Sequence, residues 1–236
     1  MFKYKLFKQK IINLYNFIIT YVYTQVCSSK YLIKSMIFGN NYNINCYTEL
    51  MNFKQIKIIN VNIVKVNTNK CIYLCNHRDA ADFFIDGYLT NGASYIGLIK
   101  TLFYFPFSVF LCLYNRCIIL FLLKFSNRQK LFNTTKKMLE TNSVIIYPEG
   151  SRNIENVSLP LRYGFIKFAY ENNIPIQIII TKNKEHVFSA KMIKSYNNVV
   201  LYTSISEVIY PKDYYNVILW NSKIKETWDK HWNMVY

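Results

Sequence analysis

The 236-residue chain predicts an α/β domain with a mostly parallel or mixed central sheet flanked by helices, preceded by a helical segment of different character. Three observations carry that prediction. From residue 53 onward, short apolar runs of strand type alternate with segments of helical spacing. No internal repeat or long linker interrupts them, and the length suits one domain with a substantial core. Ahead of them lies an acid-free, lysine-flanked apolar stretch.

That first stretch sets the domain organisation: a membrane-associating helical region over residues 1–52 and the α/β domain over 53–236. No acidic residue precedes Glu49, while Lys3, Lys5, Lys8, Lys10, Lys30 and Lys34 fall in the span. At about 100° per residue, Asn13, Asn16, Thr20 and Thr24 share one stripe. Apart from Gln25, the rest of residues 11–26 is apolar or tyrosine. Such a helix suits an interface or a shallow dip into a bilayer, and is too polar to predict a span. It lacks the small-residue cleavage site of a removed signal peptide. The alternative is a helix that simply covers the core.

The later elements follow in order. "IKIINVNIVKV" (56–66) and "KCIYLC" (70–75) predict two strands, paired through a turn near Asn67 to Asn69. Residues 80–90 predict a short helix, "ASYIG" (93–97) a strand, and 101–113 an apolar helix broken or kinked at Pro106. "CIILFLL" (117–123) is a buried-type strand, and the helix after it has Asn127 as its cap and lysines in its last turns. "SVIIY" (143–147) and "IPIQIII" (174–180) predict strands around the helix "GFIKFAYENN" (164–173). Residues 197–210 predict one or two further strands, and 216–234 a closing amphipathic helix.

A net charge of +16 points to an anionic partner, either nucleic acid or lipid. A second acid-free span, Gly87 to Leu139, carries Lys100, Arg116, Lys124, Arg128, Lys130, Lys136 and Lys137 beside "TLFYFPFSVFLCLY". Basic residues flanking the most apolar stretches predict a membrane surface, where each adds roughly 1 kcal/mol near an anionic leaflet. No nucleic-acid-binding motif accompanies them. The six cysteines (27, 46, 71, 75, 112, 117) show no CxxC spacing and no nearby histidines at zinc-ligand spacing, so they predict reduced thiols in a cytosol-facing, membrane-associated protein with no metal.

The chemistry gathers in two places. In "YLCNHRDAADFF" (73–84), one of only three histidines precedes two aspartates. Asn76 or Asp79 could cap a helix starting near Ala80. Alternatively His77 and Asp82 form a base and its orienting carboxylate. Residues five apart meet only if His77 lies in the turn and Asp82 in the first helical turn beyond it. The predicted layout has that form, at the strand edge where open α/β sheets hold ligands. The second place is "IIYPEGSRN" (145–153): Pro148 forces a turn, Gly150 permits close approach of backbone, and Arg152 offers a fork suited to phosphate.

Together, Asn76-His77-xxxx-Asp82 and Pro148-Glu149-Gly150-Ser151-Arg152 resemble the motifs of the glycerolipid acyltransferase family, PlsC type, whose best-known members are the 1-acylglycerol-3-phosphate acyltransferases. The resemblance covers residues 55–210. "IILFLLK" is similar to the family's second motif, with Lys124 in place of arginine and Ile118 in place of glycine. "LPLRYGFIKFAYENNIPI" (159–176) is similar to the fourth, with Arg162 matched and Ile178 replacing a proline.

The resemblance implies acyl transfer to the hydroxyl of a lysophospholipid, most simply 1-acylglycerol 3-phosphate giving phosphatidic acid. Acyl-CoA or acyl-carrier protein would be the co-substrate, with no other cofactor. Glycerol 3-phosphate or another lysophospholipid is the alternative acceptor, and an inactive membrane-bound relative the alternative role. It assigns catalysis to His77 and Asp82, and substrate binding to Asn76, Lys124, Glu149, Gly150, Ser151, Arg152 and Arg162. An imidazole with an ordinary pKa of about 6.5 can take the acceptor's proton, so no serine or cysteine nucleophile is required.

Overall fold

The structure, a computed structural model, describes residues 2–121 and 128–236. Among them, strands β1 (Lys57–Asn60), β2 (Ile72–Cys75), β3 (Ser94–Leu98), β4 (Ile118–Phe121), β5 (Val144–Ile146), β6 (Ile176–Lys182) and β7 (Val200–Ile205) form one sheet. Its order is β1-β7-β6-β2-β5-β3-β4. Neighbours run parallel except β6 with β7. The helices are α1 (Phe2–Phe38), α2 (Asn43–Phe53), α3 (Asp82–Leu89), α4 (Thr101–Tyr104), α5 (Pro106–Tyr114), α6 (Arg128–Leu139), α7 (Gly164–Glu171), α8 (Lys184–Val187) and α9 (Val217–Val235).

Strand β2 shows why the sheet is covered on both faces. All four of its residues are buried; Tyr73 and Cys75 enter one core, Ile72 and Leu74 the other. A continuous apolar run with period-two alternation is what a central parallel strand requires. The first core is closed by α1, α2, α3 and α5, the second by α7 and α9. On α9, Trp220, Trp228 and Trp232 are buried, and the last two donate to Ser158 and the Asn156 carbonyl. The C-terminal helix thus holds the loop that follows "PEGSR".

The expected hairpin between residues 56–66 and 70–75 does not form. β1 pairs with β7, and β2 sits between β6 and β5. Gln177 bonds Lys65 and Asn67 at 2.9 and 2.8 Å, so the intervening segment is tied to β6 instead. Pro106 stands at the first position of α5, where a missing N–H costs nothing, and separates it from α4. The strand foreseen over 117–123 is described as far as Phe121; its remainder, the expected cap Asn127 and Lys124 lie outside the described residues.

Helix α1 runs from residue 2 to 38 and α2 follows it, where the sequence predicts a helical region over 1–52; α8 was not foreseen. The outer face of α1 is apolar, and its inner face mixes polar groups with Cys27 and Tyr31 of the first core. Thr20, Thr24, Ser28 and Ser35 face inward, while Ile11, Leu14, Ile18, Val22, Val26 and Ile33 face out. The inward groups are satisfied: Ser28 meets Ser108 of α5 at 2.8 Å, and Thr20 meets Lys54 at 3.0 Å. α1 packs along α5, and α2 against α3, which begins at Asp82. No described helix is long and apolar enough to cross a membrane.

Candidate active site

Three neighbouring parallel strands, β6, β2 and β5, end at one edge of the sheet. Two residues beyond each end stand Lys184, His77 and Pro148. The register therefore collects both sequence motifs at a single place, since side-by-side parallel strands deliver their following loops to the same edge.

His77 lies in the turn after β2 and Asp82 opens α3, the placement a contact five residues apart demands. His77 Nδ1 and Asp82 Oδ2 are 2.6 Å apart. The same oxygen accepts the Arg78 amide at 2.7 Å. α3 has no side-chain cap, so neither Asn76 nor Asp79 serves in that way. The imidazole stacks on Tyr147 with centroids 4.4 Å apart, and its side chain is 25% exposed, which leaves Nε2 as the nitrogen available to a ligand. Asp82 is buried. Burial disfavours its charge, but Lys184, the bond from His77 and the Arg78 amide outweigh that and hold its carboxyl below the ordinary range.

The loop after β5 is held against this turn. Glu149 is buried; Oε2 accepts the His77 amide at 3.1 Å, and Oε1 accepts Asn153 Nδ2 at 2.8 Å and the Leu159 amide at 3.2 Å. Gly150 takes φ +69°, and a Cβ there would lie 2.4 Å from Arg162 Nε. Only glycine lets Arg162 cross the loop so closely. Gly150, Ser151, Arg152 and Arg162 are exposed at this edge. Arg152 Nη1 donates to Asp79 Oδ1 at 3.0 Å, with the side chain 42% exposed.

Two expected substrate groups turn inward instead. Glu149 braces the loop onto the His77 backbone. Asn76 is fully buried, and its amide exchanges 2.9 Å bonds with both backbone groups of Thr181, clamping β2 to β6. Polar side chains at strand ends satisfy stranded backbone groups before they are free for ligands. Lys124 lies outside the described residues. Cys75 is buried in the core, as its sequence context suggests.

Four participants were missed. Tyr147 forms the floor under the imidazole and donates to Asp86 at 2.9 Å. Asp86, one turn after Asp82, and Asp79 carried a signal in their spacing along the motif. Lys184 carried none, because it reaches the site only through the β2–β6 pairing.

A family model described as Acyltransferase matches residues 55–182. No curated protein matches the chain. Among solved structures, it is similar to the crystal structure of the 1-acyl-sn-glycerophosphate (LPA) acyltransferase, PlsC, from Thermotoga maritima. That match has 13% identity and a TM-score of 0.73, and covers 94% of this chain and 96% of the other. At that identity it is a likeness of fold.

Proposed function

The chain belongs to the acyltransferase family, and from that premise we propose that it transfers a fatty acyl group from acyl-CoA or an acyl-carrier protein to the hydroxyl of a lysophospholipid, 1-acylglycerol 3-phosphate fitting best. The observation that carries this is the 2.6 Å contact of His77 Nδ1 with Asp82, beside a loop presenting Arg152 and Arg162.

Nε2 takes the proton of the acceptor hydroxyl as its oxygen attacks the thioester carbonyl. The resulting imidazolium is stabilised by Asp82, which also keeps the ring in the tautomer with hydrogen on Nδ1. The tetrahedral intermediate collapses, the C–S bond breaks, and the imidazolium returns the proton to the departing thiolate. The acceptor oxygen is the nucleophile throughout. Arg152, anchored through one nitrogen to Asp79, keeps donors free for a phosphate.

The apolar outer face of α1 supports an acceptor taken from a bilayer. Ile11, Leu14, Ile18, Val22 and Val26 lie on that face, and Phe103 and Tyr104 of α4 are more exposed still. A soluble monomer seldom shows so much contiguous apolar surface. The inward polar stripe is what a helix needs when lipid, not water, covers its other side. α1 also reaches the site: Phe17 contacts Phe188, whose carbonyl accepts the Ala81 amide. The protein would thus be membrane-associated, with the helical region over 1–52 as its docking element and the site facing the cytosol.

Purified protein given labelled oleoyl-CoA and a panel of lysophospholipids, glycerol 3-phosphate and monoacylglycerol tests the proposal. Transfer to 1-acylglycerol 3-phosphate that vanishes in His77→Ala is expected. Equal activity on phosphate-free monoacylglycerol would instead mark a neutral acceptor, and no transfer at all an inactive relative.

A further inference from the structure

Lys184 has no exposed surface and no part in the reaction derived above. It begins α8, just beyond β6. Its ammonium donates to the Asn76 carbonyl at 2.7 Å and to both oxygens of Asp86 at 2.9 Å. It stands 3.3 Å from Asp82 Oδ1. Tyr147, the ring under the imidazole, lies 6.0 Å away. One buried cation therefore touches the residue before the base, the carboxylate of the base, and a second acid one helical turn on.

The two oxygens of Asp82 have separate tasks. Oδ2 serves His77 and the Arg78 amide, whereas Oδ1 has no hydrogen-bond partner among the described residues and faces Lys184. A carboxylate removed from water keeps its charge only when a cation or donors compensate it. Protonated, Asp82 would no longer hold hydrogen on Nδ1. The imidazole could then carry it on Nε2, and the outward nitrogen would stop being a base. An apolar side chain would fill the same space without the cost of burying an ammonium, so packing does not explain a lysine here.

We propose that Lys184 is a positioning residue for acyl transfer: it keeps Asp82 ionised and fixes the Asn76 carbonyl, so that His77 presents a bare Nε2 to the acceptor hydroxyl. The proposal rests on His77 being the base. Asp86 completes the arrangement as the second counter-ion. Sharing one cation, the two acids divide: Asp82 is held low, while burial pushes Asp86 up to about 6 despite Lys184.

The test combines kinetics with 15N NMR of the imidazoles in the intact protein. His77 is assigned by comparison with His77→Ala. In the wild type its neutral form should carry hydrogen on Nδ1; hydrogen on Nε2 would overturn the proposal without any Lys184 variant. Lys184→Met/Asp86→Asn removes both charges together, so that Asp82 alone loses its cation and Asp86 is not left as a second unpaired acid. In the folded double variant, kcat should fall by about 100-fold or more, as enforcement of the wrong tautomer does in general. The acceptor KM should stay within about twofold, and Nε2–H should appear in the spectrum. Lys184→Arg should restore part of the rate.

A folded double variant keeping more than about a third of the wild-type kcat, or an unchanged tautomer, overturns the role of Lys184. If the wild type transfers acyl groups but is indifferent to His77→Ala, the reading of His77 as base fails instead. The two failures are separable, because the tautomer is measured without turnover.

Discussion

His77 is where single residues bear most on the mechanism. Loss of a general base typically costs 10²- to 10⁴-fold, so His77→Ala should remove nearly all transfer from a protein that still unfolds cooperatively. Asp82→Asn should be severe but milder, since the ring remains; a folded His77→Ala protein retaining about a tenth of the wild-type rate would refute the assignment. Arg152 belongs at this scale too. Its guanidinium is exposed beside Gly150 and anchored by Asp79, so Arg152→Ala should raise the acceptor KM and leave the donor KM alone. Gly150→Ala combines a positive φ with a Cβ 2.4 Å from Arg162, and should lower activity by displacing that side chain and the loop with it.

The N-terminal helix is tied to the domain by more than apolar contact. Lys54, at the end of α2, is buried and donates to Thr20 of α1 at 3.0 Å and to Ser195 at 2.7 Å. No carboxylate is among these partners, and burial pulls its pKa down to about 8. A lysine whose folded pKa lies below its unfolded value binds fewer protons folded than unfolded between the two. Stability from this group therefore rises with pH across that window, and the full cost of the buried charge is present below it. Relative to Lys54→Met, the wild type should gain about 2 kcal/mol between about pH 7.5 and about pH 9.5. Urea unfolding of both proteins measures it; a difference independent of pH would mean that folding leaves the Lys54 pKa unchanged, and would overturn the lowered value. Deleting α1 is a poorer experiment, since it would uncover Cys46, Ser108 and Lys54, which Cys27, Ser28 and Thr20 of that helix cover.

For the whole molecule, the outer face of α1 and the net charge of +16 suggest the same partner. Wild-type protein should float with anionic vesicles, and binding should weaken as salt rises. Ile18→Glu with Val22→Glu changes only exposed side chains, so flotation should fall sharply while the melting temperature holds. Undiminished flotation of that folded variant would assign membrane binding elsewhere.

Sequence by itself determined the alternation of strands and helices, the placement of His77 and Asp82 around a turn, and the "PEGSR" loop beyond a neighbouring strand. Those features are local: period, turn residues and spacing within a motif depend on neighbours along the chain. Tertiary structure decided the rest. Whether β2 joins β1 or β6 depends on competition among apolar runs far apart in sequence, and the choice of β6 is what brings Lys184 under Asp82. The inward turn of Glu149 and Asn76 was equally hidden. A polar side chain is free for a ligand only if no backbone group claims it first, and here Thr181, Leu159 and the His77 amide do. The stripe of Asn13, Asn16, Thr20 and Thr24 was visible from the start. Its inner end, Thr20 and Thr24, is buried because Lys54 and Ser195 meet it from elements the helical wheel could not place.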